Sequence, residues 1–222
     1  MTAQIISVVN QKGGAGKTTV AMALAGAFGS RGLRVLVVDA DLQNSSLRWA
    51  TAASDQKPFP ATVINLAAAG GKLHREIKAH MVNYDRIIVD CPPAVDSPVP
   101  ESILLVSDFA LVPVPLSAPD IWSTQGIVKL IERASAMNER LQGFLLPNRV
   151  QRTTVSTQLR EVLNKFGIPI LQSKFGLRTA YQEAPIVGST IAGLGSTAKA
   201  AAAEVDALNN EIEELMKEPA VG

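Results

Sequence analysis

Several features of secreted and membrane proteins are absent from this sequence. It has a single cysteine, Cys91, which cannot form a disulfide within the chain and so fits a reducing compartment. No apolar stretch reaches the roughly 18 residues of a membrane span. The N-terminal residues do not combine a basic segment with a long apolar run, so they do not indicate a secretory signal. These absences favour a cytoplasmic protein.

The overall charge is also small, but it is unevenly distributed. The net charge of the 222 residues is +1. Residues 140–199 carry eight basic and two acidic side chains, whereas residues 200–222 carry one basic and six acidic side chains. The basic segment has two interpretations: chance variation among solvated helix faces, or an anion-binding patch. Apolar residues make up 47% of the chain and charged residues 18%, which indicates a globular protein rather than a disordered one.

Apolar runs of strand length alternate with helical patterns along nearly the whole chain. Strands are predicted at residues 5–9, 35–38, 62–66, 86–89, 110–114, 143–146 and 168–171. Helices are predicted at residues 16–30, 46–53, 72–82, 101–106, 121–136, 155–166 and 197–216. Several strands are continuous apolar runs, as expected of parallel strands covered on both faces. We therefore predict an α/β fold, a doubly wound and mostly parallel sheet with helices on both faces, in a single domain of residues 1–222.

The last predicted helix has an apolar stripe and an acidic opposite face. The stripe includes Val205, Leu208 and Ile212, and five acidic residues occupy the polar face: Glu204, Asp206, Glu211, Glu213 and Glu214. Helices that lie on membranes usually carry Lys and Arg on that face, because they contact anionic lipid. The pattern therefore favours packing against the sheet over membrane binding.

A glycine-rich turn connects the first predicted strand to the first predicted helix. Its glycines can take positive φ and let backbone N–H groups approach phosphate, and the positive end of the helix points to the same place. Lys17 supplies a charge for the β- and γ-phosphates, and Thr18 supplies a hydroxyl for Mg²⁺. The strict pattern G-x-x-x-x-G-K-[ST] fails, because Gln11 occupies its first glycine position. The predicted nucleotide contacts are Gly13, Gly14, Ala15, Gly16, Lys17, Thr18 and Thr19; the alternative is a glycine turn without a ligand.

A second lysine in this loop, Lys12, gives the segment a resemblance to a known family. Residues 12–19 resemble the deviant Walker A motif, K-G-G-x-G-K-[ST], of the ParA/MinD family of ATPases. The resemblance covers nearly the whole chain and implies ATP and Mg²⁺ as cofactors. In that family this lysine reaches across a dimer interface to the partner's nucleotide, so the resemblance assigns Lys12 and Lys17 to catalysis. The alternative for Lys12 is a solvated loop charge.

The second predicted strand ends in two carboxylates that resemble the family's switch I, usually D-x-D-P-Q. Leu42 stands in place of the usual proline. The resemblance implies that Asp41 positions or polarises the attacking water and that Asp39 supports the metal site. The alternative for both acids is a strand-end cap on the helix that follows.

The fourth predicted strand has the Walker B form, an apolar run that ends in Asp90, and it continues into a segment resembling switch II. Asp90 is therefore the predicted Mg²⁺ residue, acting through a water. Cys91, which follows it, is interpreted as an inert small side chain rather than a reactive thiol.

Two later segments resemble the parts of the family that contact the base. Asn148 follows a predicted strand where these proteins carry an adenine-contacting polar residue; a simple turn residue is the alternative. Residues 181–186 resemble the E-A-x-x-G-x-x-[IV] stretch whose backbone lies along the base, which implies a contact from Pro185.

The resemblance implies a ParA-type partition ATPase. The chain starts directly with the phosphate-loop strand and so resembles the small, ParF-like ParA subgroup rather than ParA proteins with an N-terminal helix-turn-helix domain. The implied partners are a second copy in the ATP state, nonspecific DNA and a ParB-like centromere-binding protein, and the implied location is the bacterial cytoplasm at the nucleoid. The DNA contacts would come from the basic segment, with candidates Arg152, Arg160, Lys165, Lys174 and Arg178.

Three alternatives share the same phosphate loop. One is a relative that positions a protein cargo, such as a carboxysome or a chemotaxis cluster. Another is a membrane-cycling division regulator like MinD, which the acidic last helix disfavours. The third is a metabolic P-loop enzyme, which needs a substrate pocket that the sequence does not reveal.

Overall fold

A single sheet of parallel strands forms the centre of the protein. The structure is a computed structural model that describes residues 2–93, 97–151 and 161–217. Within these ranges six strands pair in the order β3-β2-β4-β1-β5-β6, and every pairing is parallel. The strands are β1 Gln4–Val8, β2 Val35–Asp39, β3 Thr62–Asn65, β4 Arg86–Asp90, β5 Phe109–Pro115 and β6 Gln142–Asn148.

Helices cover both faces of this sheet. They are α1 Lys17–Ser30, α2 Ser45–Thr51, α3 Leu73–His80, α4 Pro98–Leu104, α5 Ala118–Ser135, α6 Ala180–Val187 and α7 Lys199–Leu215. Short 3₁₀ segments are Ala67–Lys72, Asn164–Phe166 and Ala192–Ala198. The predicted α/β fold with helices on both faces of a parallel sheet is confirmed.

Alternation along the strands divides the interior into two apolar clusters. In β1, Ile6 and Val8 face the cluster under α1, α2, α6 and α7, whereas Ile5 faces the cluster under α3, α4 and α5. This follows from the two-residue period of a strand, which sends neighbouring side chains to opposite faces. Each large side chain buried in this way contributes about 1.5–3 kcal/mol.

Capping residues explain why two helices begin earlier than predicted. Ser97 accepts a hydrogen bond from the Val99 amide, and a proline follows it, so α4 begins at Pro98. Ser117 caps α5 in the same way and moves its start to Ala118. The predicted helix at 155–166 lies largely outside the described residues.

The seventh predicted strand, at 168–171, was wrong. This segment makes only an isolated bridge, between Leu145 and Ile170. Leu145 donates to the carbonyl of Pro169 and accepts from the amide of Leu171. Proline has no N–H to donate, so Pro169 cannot continue a ladder.

The last helix, α7, is part of the core. Val205, Leu208 and Ile212 are buried in the core cluster on one face of the sheet, so the apolar stripe faces the interior, but the helix packs on α1 rather than directly on the sheet as predicted. Arg31, the residue directly after α1, lies 3.4 Å from both Asp206 and Glu213 of α7. In the part of the chain that the structure describes, no helix is long and apolar enough to cross a membrane.

Candidate functional site

The strand order brings the predicted site residues to one edge of the sheet. β1 lies between β4 and β5, and β2 lies beside β4. All the strands are parallel, so the loop after β1 lies beside the carboxyl ends of β4 and β2. Open parallel sheets bind ligands at this edge.

The phosphate loop takes the backbone conformations that its glycines allow. Gly14 has φ 74° and Gly16 has φ 96°, and α1 begins directly after Gly16. A Cβ atom on Gly16 would overlap the side chain of Asn148, so glycine is also required for close approach. Lys17 is buried, with 7% of its surface exposed, and its Nζ donates to the backbone carbonyl of Lys12 at 3.2 Å. Burial lowers the pKa of Lys17.

The start of the loop is attached to β5 and α5. Asn10 Nδ2 donates to the Pro113 carbonyl (2.8 Å), and its Oδ1 accepts from the Lys12 amide (3.0 Å). The side chain of Gln11 lies against Gly126 of α5, so closely that a Cβ at position 126 would overlap it. Gln11, which departs from the strict phosphate-loop pattern, therefore connects the loop to this helix.

A buried carboxylate lies below the loop. Asp90 Oδ2 accepts from Thr18 Oγ1 (2.7 Å) and from Ser46 Oγ (2.8 Å). Asp90 Oδ1 is buried and has no hydrogen-bond partner among the described residues. Burial raises the pKa of Asp90 to about 6, although the two hydroxyl bonds oppose this effect.

This donor set fits a magnesium ion. Hydroxyl and carboxylate oxygens are ligands for Mg²⁺, which usually keeps several waters and is completed by substrate phosphates. An unpartnered buried carboxylate oxygen is the kind of atom that a cation or its water satisfies. In the described ranges no group of three or more His, Cys, Asp or Glu side chains could hold a metal. Thr18 and Asp90 therefore suit an Mg²⁺ ion whose remaining ligands would be waters and phosphate oxygens.

The structure gives the two switch I acids different surroundings. Asp39 is fully buried; its Oδ2 accepts from the amides of Ser46 (3.0 Å) and Leu47 (3.2 Å), and its Oδ1 accepts from the Asp41 amide. Its carboxylate therefore holds the start of α2, and its direct role toward a metal stays a prediction. Asp41 is only half-buried, and its Oδ1 accepts from the Gln43 amide (2.9 Å).

Lys12 does not direct its side chain into its own phosphate loop. Its carbonyl accepts from Lys17, but its Nζ lies 2.5 Å from Asp120 Oδ1, in the first turn of α5. The Lys12 side chain is 40% exposed and the Asp120 side chain 13% exposed. Its ion pair argues against the view of Lys12 as a merely solvated charge.

A cavity between the phosphate loop, the end of β6 and the start of α6 is the candidate base site. It is lined by residues of the loop and of the C-terminal third, among them Gly16, Thr19, Asn148, Arg149, Arg178, Tyr181 and Gln182. Asn148 is buried; its Nδ2 donates to the Ala15 carbonyl (2.7 Å) and its Oδ1 accepts from the Arg149 amide. Asn148 thus connects β6 to the loop, and its contact with adenine stays a prediction. Pro185, the other predicted base contact, lies on α6 outside this lining.

One acidic residue of α7, Glu204, holds the wall of this cavity in place, and a second, Glu211, holds the chain segment before it. Glu204 accepts from the Gly176 amide (3.0 Å), from Arg178 Nε (2.9 Å) and Nη2 (2.6 Å), and from the Tyr181 hydroxyl (2.9 Å). Glu211 accepts from the amides of Gln172 and Ser173 at 2.7 and 2.8 Å.

The structure separates the candidate DNA contacts into different groups. Lys165 and Lys174 are exposed, and neither forms an ion pair within the described residues. Arg178 is paired with Glu204 and lines the candidate base site, so its charge is offset by a carboxylate of the same chain, and its contact with DNA stays a prediction. Arg152 and Arg160 lie outside the described residues.

The loop, the hydroxyl–carboxylate pair below it and the parallel sheet together define a P-loop nucleotide-binding protein. A family model described as the CobQ/CobB/MinD/ParA nucleotide binding domain matches residues 6–191. The chain therefore belongs to the ParA/MinD family of ATPases, as its resemblance to the deviant Walker A motif predicted.

Individual relatives agree with this assignment. The "Maintenance of carboxysome distribution protein A" of Halothiobacillus neapolitanus is 30% identical over 93% of this chain and 95% of its own. The "Chromosome-partitioning ATPase Soj" of Thermus thermophilus is 28% identical over 84% of this chain and 86% of its own. The Pyrococcus horikoshii septum site-determining protein MinD, solved with Mg-ADP, superposes with a TM-score of 0.74 at 21% identity and covers 96% of this chain and 97% of that one, which shows the shared fold.

Proposed function

We propose that this protein is a ParA-type ATP switch that positions a cargo on bacterial DNA. In this proposal ATP and Mg²⁺ bring two copies together, the dimer binds DNA without sequence preference, and a cargo-bound partner stimulates hydrolysis and release. The proposal is supported mainly by the position of the Lys12 side chain. The Lys12 carbonyl belongs to the phosphate loop, but the amine lies outside the loop, where a second copy could receive it.

In this proposal the residues of the loop and of the neighbouring strand ends have different roles at one site. Backbone amides of residues 13–19 and the Lys17 amine would bind the phosphates, and Thr18 and Asp90 would hold the metal. Bound Mg²⁺ neutralises charge on the phosphates. Asp41, which is half-buried two residues after the end of β2, would orient the attacking water. Positioning and charge stabilisation are most of what a protein contributes to phosphoryl transfer.

Sedimentation of the purified protein tests the dimer. Wild type with Mg²⁺ and a slowly hydrolysed ATP analogue should sediment as a dimer, and with ADP as a monomer. Lys12→Ala should stay monomeric at the same concentration, yet bind a fluorescent ATP analogue. A wild type that remains monomeric with the analogue at about tens of micromolar would contradict the proposal.

DNA binding should follow the nucleotide state. A monomer offers few phosphate contacts, whereas a dimer presents two basic segments on one body, so the second contact becomes intramolecular. Salt titrations on two duplexes of unrelated sequence, with ATP and with ADP, measure this. Equal binding with both nucleotides, or a strong preference for one sequence, would overturn the nucleotide-gated nonspecific mode.

Two cargo classes are proposed from the relatives. A plasmid or chromosome with a ParB-like partner follows from the similarity to the partitioning ATPase Soj. A protein cargo follows from the relative named for carboxysome distribution, which aligns over more of both chains. Deleting the gene and measuring both plasmid loss and the spacing of fluorescently labelled protein bodies separates the two classes.

A further inference from the structure

The carboxylate of Asp120 contacts the Lys12 amine and is itself held in place by Ser117. Its Oδ1 lies 2.5 Å from Lys12 Nζ, and its Oδ2 accepts a hydrogen bond from Ser117 Oγ. Ser117 is the cap of α5, and its Oγ also accepts from the Asp120 amide (3.4 Å). The carboxylate is therefore fixed in the first turn of the helix, where the helix dipole favours a negative charge.

Hydrogen bonds and packing also fix the backbone around Lys12. The Lys12 amide donates to Asn10 Oδ1, its carbonyl accepts from Lys17, and the preceding Gln11 lies against Gly126 of α5. The Lys12 side chain is the part of this residue that can change partners without disturbing the loop. Its 40% exposure leaves it open toward solvent.

We propose that Asp120 is a positioning residue that holds Lys12 on its own chain, and that this ion pair opens when Lys12 enters the site of a second copy. The inference rests on the proposed ATP-driven dimer. It adds an opposing contact within each monomer, so that the attraction between Lys12 and the partner's nucleotide must offset the loss of the pair with Asp120. The contact thereby sets the ATP and protein concentrations at which the switch turns on.

The size of the effect follows from the exposure of the pair. A partly exposed ion pair shifts an equilibrium by up to about fivefold. A two-fold symmetric dimer opens two such pairs, so removing both should tighten the dimer by the square of that factor, up to about 25-fold. Asp120→Asn removes the charge while its side chain can still bond to Ser117.

The first experiment tests the contact in the nucleotide-free monomer. Urea unfolding of wild type, Asp120→Asn, Lys12→Ala and the double variant forms a double-mutant cycle. The two single changes should be non-additive, with a coupling equivalent to about two- to fivefold in the unfolding constant. Strict additivity would overturn the ion pair.

The second experiment measures the dimer dissociation constant with Mg²⁺ and a slowly hydrolysed ATP analogue. Asp120→Asn should dimerise more tightly than wild type, and Ser117→Ala should shift the constant in the same direction by less. Glu101→Gln is the matched control, because it removes an exposed acid from the first turn of α4, and it should behave as wild type. A dimer of Asp120→Asn that is unchanged or weaker, beside a normal wild-type dimer, overturns this inference alone. A wild type that stays monomeric instead overturns the proposed function.

Discussion

Beside the phosphate loop one buried carboxylate oxygen has no partner among the described residues, whereas around the candidate base site the buried polar groups are bonded to one another. Asp90 Oδ1 is buried and unpartnered among the described residues. Burial raises the pKa of Asp90 and lowers the pKa of Lys17, which favours the neutral form of each side chain. In contrast, Glu204 accepts four hydrogen bonds from the wall of the base site.

The phosphate side therefore has a buried charge that a bound ligand would compensate, whereas the polar groups of the base side are already satisfied by the protein. A buried charge without a partner destabilises the fold unless a ligand compensates for it. A bonded wall stabilises the fold whether or not a ligand is present. Removing the buried charge on the phosphate side should therefore stabilise the fold while it weakens ligand binding, whereas changes on the base side should lower stability and nucleotide affinity together.

The largest expected effect is on chemistry alone. Asp41→Ala should lower the hydrolysis rate by about 10²–10³-fold, since a residue that orients the reacting groups contributes on this scale. ATP binding and the unfolding midpoint should stay at wild-type values, because Asp41 is half-buried and its carboxylate bonds only its own turn. Phosphate release measures the rate; equal turnover in both proteins would remove Asp41 from this role.

Asp90→Asn should stabilise the fold and at the same time weaken ligand binding on the phosphate side. The folded pKa of Asp90, about 6, lies above its ordinary 3.8, so the charged form destabilises the fold above pH 6. The variant should therefore be more stable by roughly 3 kcal/mol at pH 7–8. This gain should vanish as the pH falls through 6 toward 4, because wild type then protonates.

The measurement is urea unfolding of nucleotide-free protein from pH 4 to 8. The same variant should bind ATP more weakly in Mg²⁺ than wild type does, because the metal has one charged ligand fewer. A pH-independent difference in stability would contradict the assignment of a buried, ligand-awaiting carboxylate.

The two sides also differ in how well the sequence predicted them. The phosphate loop is a continuous segment whose residue types and spacing determine its conformation, so Gly14, Gly16 and Lys17 could be placed without a structure. Asp90 could be found because it ends an apolar strand. The fold followed from the alternation of apolar runs with helical patterns.

What the sequence did not reveal depends on contacts between distant segments. Asp120 lies 108 residues after Lys12, and Ser46 reaches Asp90 across 44 residues. No local pattern marks such pairs. The same reason explains why the sequence did not reveal the pairing of Arg178, a predicted DNA contact, with Glu204 of α7. The wrong strand at 168–171 had a local warning, the proline at 169.

On the base side, Glu204→Gln should destabilise the protein by about 1–2 kcal/mol, because charge-assisted bonds to Arg178 and Tyr181 are weakened. ATP affinity should fall severalfold through the loosened wall, with the bound state still able to dimerise. Glu214→Gln is the matched control, an exposed acid of the same helix. Thermal unfolding and ATP titration of the two variants measure this; equal behaviour would show that the wall does not depend on Glu204.

The smallest effect should come from the free cations of the basic segment. Replacing Lys165 and Lys174 together by alanine should weaken ATP-dependent DNA binding by a few fold and reduce the log–log salt slope by about 0.9 for each DNA phosphate that is no longer neutralised. Lys72→Ala with Lys78→Ala removes the same charge from exposed positions elsewhere. If both pairs of changes lower the slope equally, the basic segment has no special role. Neither pair should alter ATP binding.

The most direct test of the central claim mixes two inactive variants. In a site that takes Lys12 from the opposite chain, Lys12→Ala and Asp41→Ala should each hydrolyse ATP poorly alone. Mixing yields heterodimers in which one of two sites combines an intact Asp41 with an intact Lys12 from the partner, so turnover should rise above the sum of the separate variants, up to roughly a quarter of wild type when the two chains pair at random. The measurement is phosphate release from the separate variants and from the mixture. A mixture as inactive as its components would mean that Lys12 acts within its own chain, and would contradict the account.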